Sequence, residues 1–453
     1  MAVVFKSNRF LNFLLVLVVM LTVLLPTLSH AGWTWTAQTG AGSRNWQVIA
    51  SSSDGSKLAA GSTNSGYIYT SADSGSTWTE RTSVGSGSWW SIASSSDGSK
   101  LAAADIYGIG YGGYIYTSTN SGSTWTIQTG AGRKYWYNMV SSSDGSKLTA
   151  LTNYEDSNSE GGFIYASTDS GVTWTVLTSA GRRYWYGIAS SSDGSKLAAV
   201  VFQDFNISGD YIYTSTDSGV TWTQRTAAGK RNWQVIASSS DGTKLAAGAY
   251  YGYIYTSTDS GVTWTEQTGA GSGYWYGIAS SSDGSKLAAS VYGGYIYTST
   301  DSGATWTAQT SAGSRNWRAI TSSSDGNKLA AGVYPGYIYT GSLSSSASSL
   351  THAITSPTTT TVSRGGNLGP FSSTITNNTS TTYFMYAYIY TPSGTWLTQT
   401  SGQTILSGQT FSASNLDIYV PYAAETGTYY YFEIIYDTSG NTYESKYFSY
   451  TVY

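Results

Sequence analysis

The sequence predicts an all-β protein, and three observations lead to that class. Only 10% of the 453 residues are charged, while 52 are glycine and 40 are tyrosine, a composition that favours a folded chain over a disordered one. A segment SSSDG recurs seven times, at steps of 42 to 49 residues. Each repeat divides into four short runs typical of strands. Repeats of this length with four strands predict a seven-bladed β-propeller of four-stranded blades.

The four strands of a repeat follow one order. The first begins with a tryptophan, as in Trp46–Ser51, and an Asp-Gly turn leads from it into KLAA. The third strand is GYIYTS and the fourth begins with TWT. Because Asp-Gly between alternating runs is typical of type I′ turns, we predict a tight hairpin there. The turn aspartates are Asp54, Asp97, Asp144, Asp193, Asp241, Asp283 and Asp325.

Spacing within the repeats is constant except at one place. The TWT tryptophan and the next first-strand tryptophan are always 11 residues apart, and the turn aspartate follows 8 residues later. Only the segment between the second and third strands varies in length. We therefore expect the variable loops on one face of the ring, together with the connections between blades.

The ring is predicted to close through its N-terminal strand. The seventh repeat ends at Gly336–Thr340 without a fourth strand, while a spare fourth strand, Trp33–Thr39, stands before the first repeat. Pairing the two would complete the seventh blade and cover both open edges. The propeller is thus predicted over residues 32–340.

Two further segments flank this domain. Residues 1–31 have a basic start (Lys6, Arg9), an apolar stretch (Leu11–Leu25) and a small-residue end at Ala31, as in a secretory signal peptide. We expect a secreted or cell-envelope protein without stable membrane insertion after cleavage, an uncleaved anchor being the alternative. Residues 341–357, rich in Ser and Thr, are interpreted as a linker. Residues 358–453 contain alternating runs that predict an Ig-like β-sandwich.

Composition excludes several kinds of chemistry. The chain has no cysteine, and its two histidines are His30 in the predicted signal and His352 in the predicted linker. We therefore expect no cofactor, no metal site and no catalysis by thiol or imidazole. A net charge of -3 gives no reason to expect nucleic acid as a partner.

The stretch STDSGVTWT at 215–223 recurs with small changes. Asp217 can accept backbone N–H groups across its own turn, and Gly219 supplies a positive φ. A carboxylate shared by almost every blade cannot mark one active site, so we interpret this motif as scaffold. Its repeated positions are Asp73, Asn120, Asp169, Asp217, Asp259 and Asp301, with Trp35, Trp78, Trp125, Trp174, Trp222, Trp264 and Trp306.

The pattern S-x-D-x-G-x-T-W resembles the Asp-box, or BNR repeat, of bacterial sialidases and related propellers. The resemblance covers about residues 32–340 and implies a propeller in which the box is a structural turn. Such propellers include sialidases, xyloglucan hydrolases, photosystem II assembly factors and non-catalytic binding proteins. The Arg-Ile-Pro motif of sialidases is absent, and the corresponding region reads Gly42–Trp46. The C-terminal segment is similar to accessory Ig-like modules of exported bacterial proteins.

The connections between blades carry the candidate binding residues. The tryptophan that starts each first strand is constant, whereas its neighbours at −1 and +1 vary and are expected on the opposite side of the strand. Aromatic, amide and basic side chains there suit sugars, acidic ones in particular. The expected ligand-facing residues are Arg44, Asn45, Gln47, Trp90, Lys134, Tyr135, Tyr137, Arg183, Tyr184, Tyr186, Arg231, Asn232, Gln234, Tyr274, Tyr276, Arg315, Asn316 and Arg318.

Three functions follow from this reasoning. The first is non-catalytic, multivalent binding of an extracellular glycan or cell-surface protein through the loop face, with several similar shallow sites. The second is a sialidase-like glycoside hydrolase, which would need a pair of carboxylates. The third is a structural or assembly-factor role on a protein partner. Acidic residues on the loop face are confined to the long loops, at Asp105, Glu155, Asp156, Glu160, Asp204 and Asp210.

Overall fold

The computed structural model describes most of the chain after the predicted signal, which lies outside the described residues. These are residues 32–107, 112–155, 161–202, 209–343, 350–357, 359–377, 382–398, 403–406, 409–436 and 442–453. One compact unit is Trp33–Leu343, and a second lies within residues 344–453. Across these ranges, no helix combines the length and the apolar character needed to cross a bilayer.

The first unit is a seven-bladed β-propeller, as the repeats predict. Its closing strand is β1 (Trp33–Gln38), and six short 3-10 turns join successive blades at Thr39–Ala41, Thr82–Val84, Thr129–Ala131, Thr178–Ala180, Thr268–Ala270 and Thr310–Ala312. Blades one to three contain β2 (Trp46–Ser51), β3 (Leu58–Ser62), β4 (Ile68–Ser71), β5 (Thr79–Arg81), β6 (Trp89–Ser94), β7 (Leu101–Asp105), β8 (Ile115–Ser118), β9 (Thr126–Gln128), β10 (Tyr135–Ser141), β11 (Leu148–Tyr154), β12 (Ile164–Ser167) and β13 (Thr175–Leu177).

Blades four to seven repeat the same antiparallel order. They contain β14 (Trp185–Ser190), β15 (Leu197–Val201), β16 (Ile212–Ser215), β17 (Thr223–Arg225), β18 (Trp233–Ser238), β19 (Leu245–Gly252), β20 (Ile254–Ser257), β21 (Thr265–Gln267), β22 (Gly273–Ser280), β23 (Leu287–Gly294), β24 (Ile296–Ser299), β25 (Thr307–Ala308), β26 (Arg315–Ser322), β27 (Lys328–Val333) and β28 (Ile338–Leu343). Each first strand contacts the first strand of the next blade, and β26 contacts β2, so the ring is closed.

The seventh blade is completed by the N-terminal strand, and this prediction is confirmed. β1 runs antiparallel to β28, from Trp33 opposite Leu343 to Gln38 opposite Ile338. β28 extends three residues beyond the predicted end of the domain at residue 340. The extension is packed: a Cβ atom on Gly341 would lie 2.9 Å from the Trp35 ring.

The core lies between neighbouring blades. The seven first-strand tryptophans are at most 1% exposed, and Trp185 of blade four packs with Leu151 and Ile164 of blade three. Alanine and glycine in the second strands allow this close approach, since a Cβ on Gly248 would lie 2.9 Å from Cβ of Trp275. The seven residues are Trp46, Trp89, Trp136, Trp185, Trp233, Trp275 and Trp317.

The Asp-Gly hairpins form, but not with the predicted type I′ turn. In blade one the turn spans Ser52 to Lys57, joined by the Ser52 N–H donating to Lys57 O at 2.8 Å. Gly55 has φ 71°, while Asp54 is absent from the positive-φ residues. Asp54 Oδ1 instead accepts the N–H of Ser56 at 3.0 Å and the hydroxyl of Ser52 at 2.6 Å. Side-chain capping therefore stabilises a longer turn than the dipeptide alone predicts.

These hairpins join the blades in a second closed ring. Ser53 N–H donates to Ser96 O of the next blade, and the pattern continues around the propeller until Ser324 N–H donates to Ser53 O, every bond being 2.6–2.7 Å. Lysine side chains from one blade cross to the next, as where Lys57 Nζ donates to Asp97 O at 2.9 Å. The SSSDGSK repeat therefore forms hydrogen bonds to the neighbouring blades in addition to forming a turn.

The second unit is a β-sandwich. A three-stranded sheet of order β29-β31-β35 and a six-stranded sheet share one apolar core that includes Leu368, Phe371, Ile389, Tyr431 and Phe448. Its strands are β29 (Leu350–Thr355), β30 (Thr361–Val362), β31 (Asn367–Asn377), β32 (Tyr383–Tyr390), β33 (Trp396–Thr398), β34 (Gln403–Ile405), β35 (Thr410–Tyr419), β36 (Gly427–Tyr436) and β37 (Thr442–Val452).

The segment interpreted as a linker differs from that expectation. β29 lies inside residues 341–357 and pairs with β31 over six residues. His352 is buried, and its Nε2 lies 2.9 Å from Oε2 of Glu433. Glu433 also accepts the hydroxyls of Ser373 at 2.5 Å and Tyr431 at 3.0 Å. The Ser/Thr content concealed a strand because threonine, which occurs twice in β29, also favours strands.

Candidate binding site in the propeller

The repeated STDSGVTWT carboxylate is fully engaged within its own turn. Asp217 Oδ1 accepts the N–H of Thr221 at 2.9 Å and the hydroxyl of Ser215 at 2.7 Å, while Oδ2 accepts the Thr221 hydroxyl at 2.6 Å. Trp222 Nε1 donates to Gly219 O at 2.9 Å. Both carboxylate oxygens of Asp217 are therefore hydrogen-bonded to groups of their own turn.

Asn120 shows how the turn forms without a charge. Its Oδ1 accepts the N–H of Thr124 at 2.9 Å and the hydroxyl of Ser118 at 3.0 Å. Its Nδ2 donates to Thr124 Oγ1 at 2.9 Å, so the threonine hydroxyl accepts where it otherwise donates. An amide therefore substitutes for the carboxylate with the same set of partners.

The aspartates of these turns make the stability of the propeller depend on pH. The hydroxyl and N–H of Thr221 lower the pKa of Asp217 from 3.8 to about 2. Because the folded-state pKa lies below the unfolded value, this stabilisation is present above about pH 4 and is lost as the pH falls through about 2. We expect the Tm to fall between pH 5 and pH 2 in thermal unfolding followed by circular dichroism.

Asp217→Asn is the matched variant for this prediction. The Asp217→Asn protein should fold, because the blade that carries Asn120 forms the same turn. At pH 7 its Tm should fall by less than the Tm of the Asp217→Ala protein. The Tm difference from the parent protein should narrow at pH 2, where the Asp217 carboxylate protonates. A difference that stays constant from pH 7 to pH 2 would contradict the assignment.

All seven residues that follow the core tryptophans line one central cavity. It has a volume of about 160 Å³ and lies at the start of the first strands, where Val, Ile, Ala and Gly residues and Asn138 complete its lining. The seven residues, one from each blade, are Gln47, Trp90, Tyr137, Tyr186, Gln234, Tyr276 and Arg318. The blades therefore contribute to a single site on the axis of the ring.

A β-bulge brings these residues to the axis. In blade one Trp46 pairs with Ser62 and Val48 with Gly61, so Gln47 is an extra residue without a partner in the ladder. Register shifts occur at the same place in the other six blades. A bulge re-aims a side chain out of the normal alternation.

The residues at −1 do not line the cavity, contrary to the expectation that both flanking positions face one side. The +1 residue is itself the extra residue of the bulge, so the alternation that would align it with the −1 residue is interrupted. Tyr274 still touches the wall, since its hydroxyl lies 3.1 Å from that of Tyr276. The −1 residues named as candidates are Asn45, Tyr135, Tyr184, Asn232, Tyr274 and Asn316.

The four aromatic rings that line the cavity, Trp90, Tyr137, Tyr186 and Tyr276, belong to a longer arc of rings in contact. Successive ring centroids lie 4.4–5.4 Å apart along the arc Trp90, Tyr137, Tyr186, Phe202, Tyr250, Tyr274, Tyr276 and Tyr292. Phe202, Tyr250 and Tyr292 come from the ends of second strands or the loops that follow them, and sequence reasoning missed them. Contacts of this kind contribute about 0.5–1.5 kcal/mol per pair beyond burial.

Arg318 is the one charged side chain among the residues that line the described cavity. Its guanidinium lies 4.4 Å from the centre of the Tyr276 ring and 4.5 Å from that of Tyr334. Nη1 donates to Gln47 Oε1 at 3.2 Å. Two rings and an amide therefore hold the guanidinium, which is the charged group of the cavity wall.

Two buried polar atoms of the wall have no hydrogen-bond partner within the described part of the chain: Nε of Arg318 and Oε1 of Gln234. Gln234 is only 2% exposed, so an unpaired oxygen there costs about 1–3 kcal/mol. Burial raises the pKa of Tyr186 to about 12 and that of Tyr137 well above 10. Both phenols are neutral at pH 7 and present hydroxyl groups.

The five basic residues two positions before the core tryptophans are outside this cavity. Each cation lies over a tyrosine ring of the third strand of its own blade, at 4.5–5.1 Å from the centroid. Four are also paired with a carboxylate, as where Lys134 Nζ lies 2.7 Å from Glu155 Oε2. The predicted ligand-facing cations Arg44, Lys134, Arg183, Arg231 and Arg315 thus make these contacts within their own blades and do not line the cavity.

The described loop carboxylates are likewise engaged away from the cavity. Asp105 accepts the N–H groups of Ser88 at 3.0 Å and Tyr107 at 3.1 Å, and burial raises its pKa. Glu155 pairs with Lys134 and Asp210 with Arg183. The other candidate acids, Asp156, Glu160 and Asp204, lie outside the described residues.

Comparison with known proteins supports the fold. No protein-family model matches the chain, and no curated protein matches it in sequence. The structure is similar to YCF48 bound to D1 peptide (TM-score 0.53, 15% identity, covering 70% of this chain and 98% of that chain). It is also similar to YCF48 from Cyanidioschyzon merolae (0.51, 15%, 68% and 98%). A third similar structure is the Cps50 (Swd1) propeller domain of Myceliophteria thermophila (0.52, 14%, 68% and 99%). At these identities the likeness shows a β-propeller fold.

Proposed function

We propose that the chain is an exported, non-catalytic binding protein whose propeller holds one acidic group of a glycan in its central cavity. The observation that carries this proposal is the pair of buried, unpartnered atoms, Arg318 Nε and Gln234 Oε1, beside the aromatic arc. An unpaired buried donor and an unpaired buried acceptor call for a ligand with complementary groups.

The chemistry of the wall fits a sugar acid. A guanidinium forms short, charge-assisted hydrogen bonds to a carboxylate, and Arg318 Nε is available for one. Gln234 Oε1 would accept a hydroxyl or amide N–H group, and the phenols of Tyr137 and Tyr186 would supply further hydrogen bonds. The faces of the aromatic rings pack against the apolar face of a pyranose. A volume of about 160 Å³ favours a terminal residue over an internal stretch of polymer.

A single cavity changes the expected mode of binding. The sequence suggested several similar sites around the ring and therefore avidity within one molecule. In the structure the seven +1 side chains converge, and the basic residues are held separately by tyrosines and carboxylates. We propose one ligand per propeller, with affinity set by the Arg318 and Gln234 contacts.

The wall supports binding without hydrolysis. A glycosidase places two carboxyl groups about 5–9.5 Å apart across the bond that it cleaves. The residues lining the described cavity include neither aspartate nor glutamate. The described carboxylates of the long loops are engaged by backbone N–H groups or cations.

A protein partner is the second candidate. Tyr107 is 57% exposed and Tyr251 is 69% exposed, and they contact Tyr135 and Tyr274 respectively. Exposed tyrosines around a cavity are typical of protein-binding surfaces. A similar propeller, YCF48, is described as bound to a peptide. An acidic side chain from a protein would meet Arg318 in the same way as a sugar acid.

Titration calorimetry with Arg318→Ala tests the site. The probes are glucuronic acid, sialyllactose, uncharged lactose and a short Glu-rich peptide, each at two salt concentrations. Loss of a charge-assisted hydrogen bond, about 1.5–3 kcal/mol, should weaken binding of the acidic sugars about 10- to 100-fold. Added salt should weaken it as well.

Arg315→Ala is the matched control, because Arg315 lies over Tyr339 outside the cavity. It should leave affinity unchanged. Equal losses in Arg318→Ala and Arg315→Ala would contradict the central site. Binding of the peptide without binding of either sugar acid would assign the cavity to a protein partner.

A further inference from the structure

We propose a second binding site, in the β-sandwich: the outer face of its six-stranded sheet binds an uncharged polysaccharide. This site lies in the other unit and differs in chemistry from the propeller cavity. Its basis is a continuous platform of aromatic side chains on a sheet face that carries no charged residue among those described.

The outward direction of the platform follows from the alternation of burial. In β32 the residues Tyr383, Met385, Ala387 and Ile389 are buried, and the four residues that alternate with them are partly exposed. β36 alternates in the same way, with Tyr431 inside and Phe432 outside. The inner residues fill the sandwich core, so the outer ones are available to a ligand.

The rings on the outer face form one connected group. Trp396, which is 51% exposed, lies at its centre, with centroids 4.9 Å from Tyr390 and 5.0 Å from Phe432. Phe432 lies 5.1 Å from Tyr447, which is 63% exposed. The aromatic platform consists of Tyr386, Tyr388, Tyr390, Trp396, Tyr430, Phe432, Tyr436 and Tyr447.

The remaining side chains of this face are uncharged and mostly hydroxylic. In β36 and β37 the outward positions between and beside the rings are the exposed Thr428, Ser445, Ser449 and Thr451 and the partly exposed Ile434. The exposed cation Lys446 stands in register with the buried Glu433, so the alternation assigns it to the opposite face. Hydroxyl groups around apolar rings match the alternation of C–H and O–H groups on a sugar.

Because the described face carries no charge, it favours an uncharged ligand. Nucleic acids and acidic glycans are bound through cations, and protein interfaces are enriched in arginine together with aromatic residues. From Tyr386 to Tyr390 the platform extends about 13 Å along one strand, which suits several successive sugar rings. A connected run of exposed rings on a face without charge therefore fits an extended, neutral polysaccharide.

Sedimentation of the full-length chain with insoluble polymers tests this proposal. The probes are microcrystalline cellulose and chitin as neutral polymers, and calcium alginate as a charged one. The parent protein should sediment with a neutral polymer, with little dependence on salt and less binding to alginate. The double variant Trp396→Ala/Tyr447→Ala should bind the same polymer about tenfold more weakly, since each ring contributes a stacking contact.

Two controls keep the result specific. Tyr419→Ala removes a tyrosine of the three-stranded sheet that is 57% exposed, and Arg318→Ala alters the propeller cavity; both should retain polymer binding. Circular dichroism shows whether the double variant remains folded, and the single variant Tyr447→Ala serves if it does not. The proposal is overturned by unchanged sedimentation of the folded variant, or by no binding to either neutral polymer. Concentration-dependent dimers of the parent, abolished by the same substitutions, would assign the face to a second copy and would also overturn it.

Discussion

Replacing Trp185 by alanine is expected to lower the free energy of unfolding of the propeller by about 3–5 kcal/mol, the usual cost of removing a fully buried large aromatic side chain. The Trp185 side chain is 0% exposed and packs with residues of blades three and four. Its loss leaves a cavity between blades, and a closed ring cannot move one pair of blades together without opening another. Chemical denaturation, followed by circular dichroism, measures the change.

Trp396→Ala provides the comparison, because Trp396 is 51% exposed and lies in the other unit. That substitution should leave the unfolding transition of the propeller in place. A Trp185→Ala protein that unfolds at the denaturant concentration of the parent would contradict the assignment of this tryptophan to the core between blades.

Deleting residues 33–38 is expected to prevent a stable propeller from forming. The deletion removes all six residue pairs between β1 and β28 and leaves β28 as an unpaired edge. At about 1 kcal/mol net for each backbone hydrogen bond, with the loss of the Trp33 and Trp35 rings from the blade-seven core, the cost approaches the whole stability of a typical domain. An unpaired edge also promotes association between chains. Size-exclusion chromatography should show aggregates or an expanded monomer.

A peptide with the sequence of residues 33–39 offers a direct check, because it should pair with β28 and restore a compact, cooperatively unfolding protein. A scrambled peptide of the same composition should not. A compact monomer without any peptide would show that blade seven is stable with three strands, and would contradict the role assigned to β1.

The fold was accessible from sequence because the repeats preserve their spacing. A tryptophan always 8 residues before an aspartate, and always 11 after the preceding tryptophan, defines four strands and their turns. The missing fourth strand of repeat seven and the spare strand at Trp33 then predict closure. The predicted end at residue 340 falls short of Leu343 because SLSSS looks like linker, although Gly341 and Leu343 pair with β1.

The binding site could be predicted only in part from the sequence, because its geometry depends on one β-bulge in each blade. Regular alternation places the residues on both sides of Trp46 on one face. The bulge between Trp46 and Val48 directs Gln47 to the axis and separates it from Asn45. Nothing in the repeat marks this bulge, since the +1 position varies from glutamine to tryptophan, tyrosine and arginine.

The contacts of the basic residues were hidden for a different reason. Arg44, taken alone, looks like a surface cation poised for an acidic ligand. In the structure it lies over Tyr69 at 4.6 Å and 3.6 Å from Glu80, although these residues are 25 and 36 positions further along the chain. The repeated tyrosine of the third strand gave no specific signal, because it also recurs in blades two and six, where Gly87 and Gly273 stand at the cation position.

Closure by the first strand also has a consequence for the order in which the chain folds. Gln38 hydrogen-bonds to Thr340, 302 residues away in sequence, so blade seven cannot be completed until the last repeat has been made. Contacts at such separations slow folding, because the entropy of closing a long loop opposes them. Until β1 pairs with β28, the six complete blades therefore form an open ring with two exposed edges. If the chain crosses a membrane N-terminus first, the strand that finishes the ring emerges first and must stay unpaired the longest.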